Sequence, residues 1–265
     1  MEYLNRHIPQ EYLALKINYC RQQLELLPKV TLKTHILNGV PTQIIFADGH
    51  RYKPDSKSGE QSVRDMERRS YLERELQIYE AIWYSKYKDD PFPECIPHNV
   101  NRTMFIDTKT QVVLNREYFD SLKNDANTKQ PKPADYPFDG IYYRSAAERD
   151  IAMFYTEMGI PFKYEPEVMI KGITGFIHPD FVPYFEEIDN CKFHEHFGIK
   201  NSSGYNRVTS IKYVNYANAG LVSEADVIYT HDTDDMPFDI RAFSSKLNTA
   251  IYSTVISTKQ SIPAL

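Results

Sequence analysis

Apolar residues near the start of the chain recur at alternating steps of four and three positions. This spacing places them on one face of a helix, and the proline at position 28 ends that helix. We expect the face to pack against another helix. The residues that form it are Leu13, Ile17, Cys20, Leu24 and Leu27.

Two dipeptides, Asn38-Gly39 and Asp48-Gly49, each lie between runs of β-forming residues. Residues of these types tolerate a positive φ angle, so the dipeptides are strong hairpin signals. The pattern therefore predicts a three-stranded meander over residues 30–52.

A long helix with a basic first half is predicted next, over residues 62–87. Its apolar stripe is ragged, and four arginines lie in or near its first half. They are Arg64, Arg68, Arg69 and Arg74. Two interpretations stay open. One is a solvated face with ion pairs between residues four apart, and the other is a helix that contacts phosphates. The solvated face is the favoured interpretation.

The segment over residues 121–139 is polar and contains prolines at positions 131, 133 and 137. A segment of this kind cannot bury a core, so it predicts a linker or a surface loop. We therefore expect an N-terminal region over residues 1–120, made of a helix, the meander and the long helix. A separate domain is expected over residues 140–265.

The pattern changes after this segment to the order αβββαβ. A helix is predicted from Arg144 to Met158, because Ser145 is suited to cap it and Glu148 stands at the capping-box position. Three strands are predicted over residues 162–170, 175–185 and 191–197, then a helix over residues 205–218 and a last strand over residues 226–230. This order predicts an α+β or α/β domain.

Composition and charge exclude several classes of protein. With 42% hydrophobic and 25% charged residues, the chain has the composition of a globular rather than a disordered protein. No apolar run is long enough for a membrane helix, and the polar N-terminus lacks a signal-peptide core. The 3 cysteines lie far apart and form neither a disulfide nor a zinc pattern, so a reducing cytoplasm is expected. With a net charge of -5, any contact with nucleic acid must come from local basic patches or a bound cation.

Three carboxylates are predicted to converge in the second domain. Asp180 and Glu195 fall on neighbouring antiparallel strands and can lie side by side, and Glu148 can reach them from the preceding helix. Carboxylates at one point repel each other, and a divalent cation removes that repulsion. Magnesium prefers such oxygen ligands, and a bound cation can activate water and stabilise charge on a phosphate. The residues alone thus predict a hydrolytic metal site.

The spacing of Pro179-Asp180 and Glu195 resembles the Pro-Asp…(Asp/Glu)-x-Lys signature of the PD-(D/E)xK nuclease superfamily. Over residues 142–230, short motifs in the same order are also similar to an uncharacterised bacterial nuclease-like group. They are RSAAE at residues 144–148, GIP at 159–161, YE at 164–165, PDF at 179–181 and EHFG at 195–198, followed by Lys212, Tyr216 and Gly220 in the next helix. The resemblance implies a restriction-endonuclease-like mixed sheet flanked by helices, and Mg²⁺- or Mn²⁺-dependent cleavage of DNA. It also implies that Glu148, Asp180 and Glu195 are the metal ligands.

The chain departs from this signature two positions after Glu195, where it has Phe197 and the superfamily has lysine. In those enzymes the lysine orients the attacking water or helps to deprotonate it, and phenylalanine can do neither. Lys212 can replace it from the following helix. His196 is the second candidate, because a neutral imidazole can act as a base near neutral pH, although strand alternation points it away from Glu195. We therefore expect the Lys212 ammonium to lie near the Asp180–Glu195 pair.

Two functions remain compatible with these patterns. The first is a metal-dependent nuclease acting on DNA. The second is a nuclease-derived domain without turnover that binds nucleic acid or protein, with the N-terminal helices holding a protein partner or a second copy. A zinc site formed by His178, His194 and His196 is not expected, because alternation turns His194 and His196 to the face opposite Glu195.

Overall fold

The computed structural model describes residues 7–129, 131–198, 203–233, 235 and 237–259. It divides the chain into two compact units. The smaller unit is Leu13–Ile96, and the larger unit combines Met1–Tyr12 with Pro97–Leu265. Within the described part of the chain, no helix has both the length and the apolar character needed to span a bilayer.

The smaller unit contains most of helix α1, a three-stranded sheet and the long helix α2. The bounds are α1 Gln10–Leu26, β1 Val30–Leu37, β2 Val40–Ala47, β3 His50–Tyr52 and α2 Lys57–Lys86. The sheet is an antiparallel meander in the order β1-β2-β3, as the two turn dipeptides predict. Leu13, Ile17 and Cys20 are buried, which confirms the apolar face of α1.

Helix α2 begins five residues earlier than the sequence predicts, at Lys57 instead of Ser62. Ser56 caps it, since its side chain accepts a hydrogen bond from the Gly59 N–H at 3.1 Å. From the sequence alone, a glycine in the first turn is unfavourable for a helix. In the structure, a Cβ atom at Gly59 would lie 1.9 Å from the carbonyl oxygen of Lys53, so only glycine fits there.

The basic face of α2 is partly engaged in local contacts. The guanidinium of Arg69 donates to the carbonyl oxygens of Leu24 and Leu27 and pairs with Glu73 four residues on. Arg64 donates to Gln61. The pair of Arg69 with Glu73 is of the predicted kind between residues four apart, whereas the bonds of Arg69 to the end of α1 are tertiary contacts that the sequence does not predict.

The larger unit has a mixed α+β architecture. Its elements are β4 Thr103–Phe105, β5 Gln111–Val113, α3 Arg116–Ser121, β6 Pro137–Phe138, β7 Ile141–Tyr142, α4 Ala146–Glu157, β8 Phe162–Tyr164, β9 Phe181–Phe185, β10 Asn190–Cys191, β11 Phe193–Gly198, α5 Ser203–Asn218, β12 Val227–Asp232 and α6 Ile240–Lys259. The order from α4 to β12 is the predicted αβββαβ, with the third strand divided into β10 and β11.

The central sheet of the larger unit is mixed. Strand β9 pairs antiparallel with β8 along one edge and with β10 and β11 along the other. Strands β11 and β12 run parallel, and α5 lies between them in the sequence. Tyr216 of α5 packs against one face of β11, while Tyr155 of α4 and Phe243 of α6 pack against His194 on the other face. Helices thus flank the sheet on both sides.

Two of the predicted strands are shorter in the structure. Strand β8 ends at Tyr164 instead of Ile170, because Glu165 has a φ of 41° and a proline follows it. Strand β9 begins at Phe181 instead of Gly175, because Pro179 interrupts the pattern as expected. Asp180 therefore stands immediately before a strand and not within one.

The predicted boundary over residues 121–139 does not coincide with the division between the units, which falls after Ile96. Leu122 and Ala126 are buried. The backbone N–H groups of Asp125 and Ala126 donate to the carbonyl oxygens of Tyr164 and Glu165, so the beginning of this polar segment is bound to the end of β8. Composition reports the polar side chains of such a segment but not its backbone hydrogen bonds.

Candidate active site

Asp180 and Glu195 face each other across the junction of β9 and β11. Phe181 is paired with His194, so extending the antiparallel register by one residue sets Asp180 opposite Glu195. One oxygen of Asp180, Oδ2, accepts the backbone N–H of His196 at 2.7 Å. This bond fixes the Asp180 carboxylate just before the start of β9, and the register confirms the predicted adjacency of Asp180 and Glu195.

Glu195 is buried, with 1% of its surface exposed, and it points toward α5. The ammonium of Lys212 lies 2.5 Å from its Oε2 atom, and the hydroxyl of Tyr216 donates to its Oε1 atom at 2.5 Å. Lys212 and Tyr216 are four residues apart on α5, so one face of the helix presents both side chains. Every oxygen of this carboxylate is therefore held by a donor from the same helix.

Phe197 occupies the place where the superfamily signature has lysine. Its side chain is buried and packs with the rings of Tyr213, Tyr229 and His231. The Lys212 ammonium lies 5.7 Å from the centre of the Phe197 ring. An ammonium group thus reaches the acidic pair from α5, as we expect from the sequence, and its catalytic role stays a prediction.

Glu148 lies in the first turn of α4, whose N-cap is Ser145, as predicted. The Ser145 hydroxyl accepts the Glu148 N–H at 3.1 Å. The Glu148 carboxylate does not close a capping box by accepting the N–H of Ser145. Its Oε2 atom accepts the Tyr164 hydroxyl at 2.6 Å and the N–H of Arg144 at 3.2 Å.

The charge of Asp180 acts on both glutamates. Burial raises the pKa of Glu148 to about 7, and the negative charge of Asp180 adds to that shift. Burial likewise raises the pKa of Glu195 to about 7, where the ammonium of Lys212 works against the shift and the charge of Asp180 works with it. The three carboxyl groups therefore form one electrostatic centre in which protonation near neutral pH relieves repulsion.

We expect the protein to lose stability as the pH rises through the interval between the ordinary pKa of these glutamates, 4.5, and their raised pKa of about 7. In that interval the unfolded chain releases the protons first, so folding loses roughly 1 kcal/mol per pH unit for each group. Glu148→Gln keeps the acceptor for Tyr164 and cannot ionise. Its melting temperature should therefore fall less than that of the wild type between about pH 5 and about pH 8.

The matched control for this measurement is Glu224→Gln, which alters a half-exposed glutamate on the sheet's periphery. Its pH profile should follow the wild type. If the melting temperature falls equally steeply with pH in Glu148→Gln and in the wild type, Glu148 does not carry the raised pKa.

The expected ligand set of three carboxylates is not formed. Among the residues that the structure describes, no three His, Cys, Asp or Glu side chains are grouped so that they could hold a metal ion. Glu148 is bonded to Tyr164, and Glu195 is bonded to Lys212 and Tyr216. Asp180 and Glu195 still offer two neighbouring carboxylates, and a hydrated Mg²⁺ is commonly bound by one or two carboxylates with water completing its shell.

His194 and His196 lie on the face of β11 opposite Glu195, as alternation predicts. Both rings bond to the Thr230 hydroxyl, at 2.8 and 2.9 Å, and the other nitrogen of His194 bonds to the Tyr155 hydroxyl at 2.9 Å. Burial lowers the pKa of both imidazoles. Burial thus favours the neutral form of His196, but only its backbone N–H bonds to the acidic centre. Its side chain lies 3.5 Å from Asp232.

The motif residues meet in space. The Arg144 guanidinium donates to both oxygens of Glu165, at 2.6 and 3.1 Å, and its backbone N–H lies 3.2 Å from the hydroxyl of Tyr164.

Compared with protein-family models, curated proteins and solved structures, the chain gives no match. Membership of the nuclease superfamily therefore stays a prediction that rests on these motifs and on the geometry of the site.

Two residues of the site were not assigned a role from the sequence. Tyr164 and Tyr216 belong to the quoted motifs, yet nothing in their spacing tells which carboxylate each one binds. The structure assigns Tyr164 to Glu148 and Tyr216 to Glu195. The repeated pairing of a buried tyrosine with a buried glutamate provides a donor for each carboxyl group that burial deprives of water.

Proposed function

We propose that the protein is a metal-dependent nuclease that hydrolyses phosphodiester bonds, with DNA as its substrate. The observation that carries the proposal is the meeting of Asp180, Glu195 and Lys212 where the start of β9 lies beside the middle of β11. Two carboxylates and an ammonium in this arrangement supply the parts that phosphodiester hydrolysis requires. The αβββαβ order and the mixed sheet support a restriction-endonuclease-like fold.

The proposed site holds Mg²⁺ or Mn²⁺ through Asp180 and Glu195. When bound, the cation would supply a lowered pKa for water and electrostatic stabilisation of the charge that develops on the phosphate. Lys212 orients the attacking water and balances the negative charge of Glu195. Tyr216 keeps the Glu195 side chain in place. Above neutral pH, where it is ionised, Glu148 adds negative charge near Asp180 and strengthens the attraction for the cation.

The test is incubation of the purified chain with plasmid DNA and with linear DNA, in Mg²⁺ and separately in Mn²⁺. We expect nicking or linearisation of the plasmid with either cation and none in EDTA. Glu195→Ala, prepared in the same way, is the control for a contaminating nuclease. Cleavage that persists in Glu195→Ala would contradict the proposal.

A second candidate is a nuclease-derived domain that binds nucleic acid or protein without turnover. The observation in its favour is that donors from α5 hold both oxygens of Glu195. It predicts that DNA is bound but remains intact in both cations. Retention of labelled DNA without cleavage, unchanged in Glu195→Ala, would select this candidate.

We expect Mg²⁺ or Mn²⁺ to raise the melting temperature above neutral pH, where the glutamates of the site have released their protons. A ligand that binds only the folded state at tenfold excess over its Kd contributes about 1.4 kcal/mol. For a chain of this size that is a shift of roughly 3 °C. The shift should disappear in Asp180→Asn and persist in Glu224→Gln. Identical shifts in both variants would place the cation elsewhere.

A further inference from the structure

Strand β1 forms one edge of the three-stranded sheet in the smaller unit, and within the described chain no strand pairs with its outer side. Its eight residues run from Val30 to Leu37. An exposed edge strand presents unpaired N–H and C=O groups, and proteins usually protect such an edge with proline, bulges or several charges. Strand β1 has no proline, pairs with β2 without a bulge, and carries one lysine, Lys33.

The turn between β1 and β2 decides which backbone groups face the free edge. Asn38 and Gly39 have φ angles of 51° and 78°, the signature of a two-residue type I′ turn. Such a turn is closed by a hydrogen bond between Leu37 and Val40, so the backbone of Leu37 points toward β2. Because successive residues of a strand alternate, the even-numbered residues of β1 direct their N–H and C=O groups outward.

The same even-numbered residues carry exposed apolar side chains. Leu32 is 41% exposed and Ile36 is 75% exposed, and both lie on one face of the strand with Thr34 between them. Lys33 lies on the other face, where its ammonium is 5.6 Å from the centre of the Phe46 ring. The outward backbone groups and the apolar side chains therefore belong to one continuous strip without a charge.

This strip is complementary to itself when two copies run antiparallel. Outward groups meet outward groups only if even-numbered residues oppose even-numbered residues. With Thr34 opposite Thr34 of a second copy, Leu32 opposes Ile36 on each side of the twofold axis, and Lys33 opposes His35. The next register that keeps even-numbered residues opposite each other is shifted by two residues. In one direction this shift sets Lys33 opposite Lys33, which is repulsive. Moving it in the other direction shortens the paired length.

We propose that β1 is a homodimer interface, in which two copies of this chain pair their β1 strands antiparallel about Thr34 and join their meanders into one six-stranded sheet. A self-complementary patch of this kind produces a closed twofold dimer. The pairing satisfies the outward backbone groups and covers Leu32 and Ile36. It replaces the helix-mediated association considered from the sequence, since the apolar face of α1 is buried at Leu13, Ile17 and Cys20.

The first experiment measures the molar mass of the full chain in solution by light scattering during size-exclusion chromatography. The chain has a mass of 31.0 kDa, and we expect twice that value at high protein concentration, falling toward 31.0 kDa on dilution. Thr34→Lys places two ammonium groups opposite each other on the axis and should leave the monomer. Gln43→Lys is the matched control, because Gln43 is paired with Thr34 but lies one strand further in.

The second experiment reads the register. Thr34→Cys should form a disulfide-linked dimer under mild oxidation, while Lys33→Cys and His35→Cys should not, because their copies are separated diagonally beyond the reach of a disulfide. The native cysteines are buried, so we expect them to form few disulfide-linked dimers of their own. A wild type that stays at 31.0 kDa at every concentration, or a dimer that survives Thr34→Lys, would overturn the proposal. Melting curves confirm that each variant is folded.

Discussion

Replacing Asp180 with asparagine is expected to lower DNA cleavage by more than ~100-fold without unfolding the protein. The amide oxygen can still accept the N–H of His196, so the local backbone contact is retained. What disappears is the negative charge that the cation requires. Glu195→Gln is expected to have an equally large effect for the same reason, because Glu195 is the second proposed ligand.

Stability separates this loss from misfolding. Burial is the main cause of the raised pKa of Glu148 and Glu195, and the charge of Asp180 adds to it. Removing that charge takes away part of the shift, so the variant should melt at or above the wild-type temperature near neutral pH. Turnover and melting are measured on the same preparations, with Glu224→Gln as a carboxylate control outside the site. Full activity in both Asp180→Asn and Glu195→Gln would rule out Asp180 and Glu195 as the metal ligands.

Lys212→Met is expected to reduce kcat by orders of magnitude while the Mg²⁺-dependent rise in melting temperature is retained. Methionine keeps much of the length of the side chain and removes the ammonium that lies 2.5 Å from Glu195. The attacking water then loses the group that orients it, whereas Asp180 and Glu195 still bind the cation. Lys212→Arg should not restore turnover, because arginine is a poor proton-transfer group.

The control is Lys246→Met. Lys246 is 40% exposed and pairs with Glu224, and Lys212 is 34% exposed and pairs with Glu195, so each substitution removes a partly exposed lysine from an ion pair with a glutamate. Lys246→Met should leave kcat close to the wild-type value. Unchanged turnover in Lys212→Met together with a loss in His196→Ala would assign the role to the histidine, despite the opposite orientation of its ring.

The local elements were predictable because their signals are local. The Asn38-Gly39 turn has a conformation that few other residue pairs adopt, and the Ser145 cap follows from its place before an apolar helical run. The early start of α2 and the attachment of the 121–139 segment to β8 were not predictable. The first depends on the close approach of Gly59 to the Lys53 carbonyl, and the second on hydrogen bonds between backbone groups far apart in the chain; the side-chain pattern is insensitive to both.

For the site, it was predictable which residues lie next to each other, but not which groups each side chain binds. Alternation and motif order sufficed to place Asp180 opposite Glu195 and to turn His196 away, and the short distance along the chain between β11 and α5 indicated Lys212. Among the described residues, the three carboxylates are not grouped as a metal-binding set, and Glu148 is bonded to Tyr164. Whether a carboxylate faces a cation or a hydroxyl depends on the rotamer and on neighbours such as Tyr164, and the sequence specifies neither.

The difference in length between the two edges of the meander has a consequence for how large an assembly can become. Strand β1 has eight residues, whereas β3, at the opposite edge, has three. Paired β1 strands would leave, at the margins of the joined sheet, the two β3 strands and the part of β2, residues 40–44, with which β3 does not pair. Three residues of β3 offer too little backbone for stable addition of another strand, and Pro41 lacks an N–H in the uncovered part of β2, so we expect growth to stop at two chains and not to continue into a fibril.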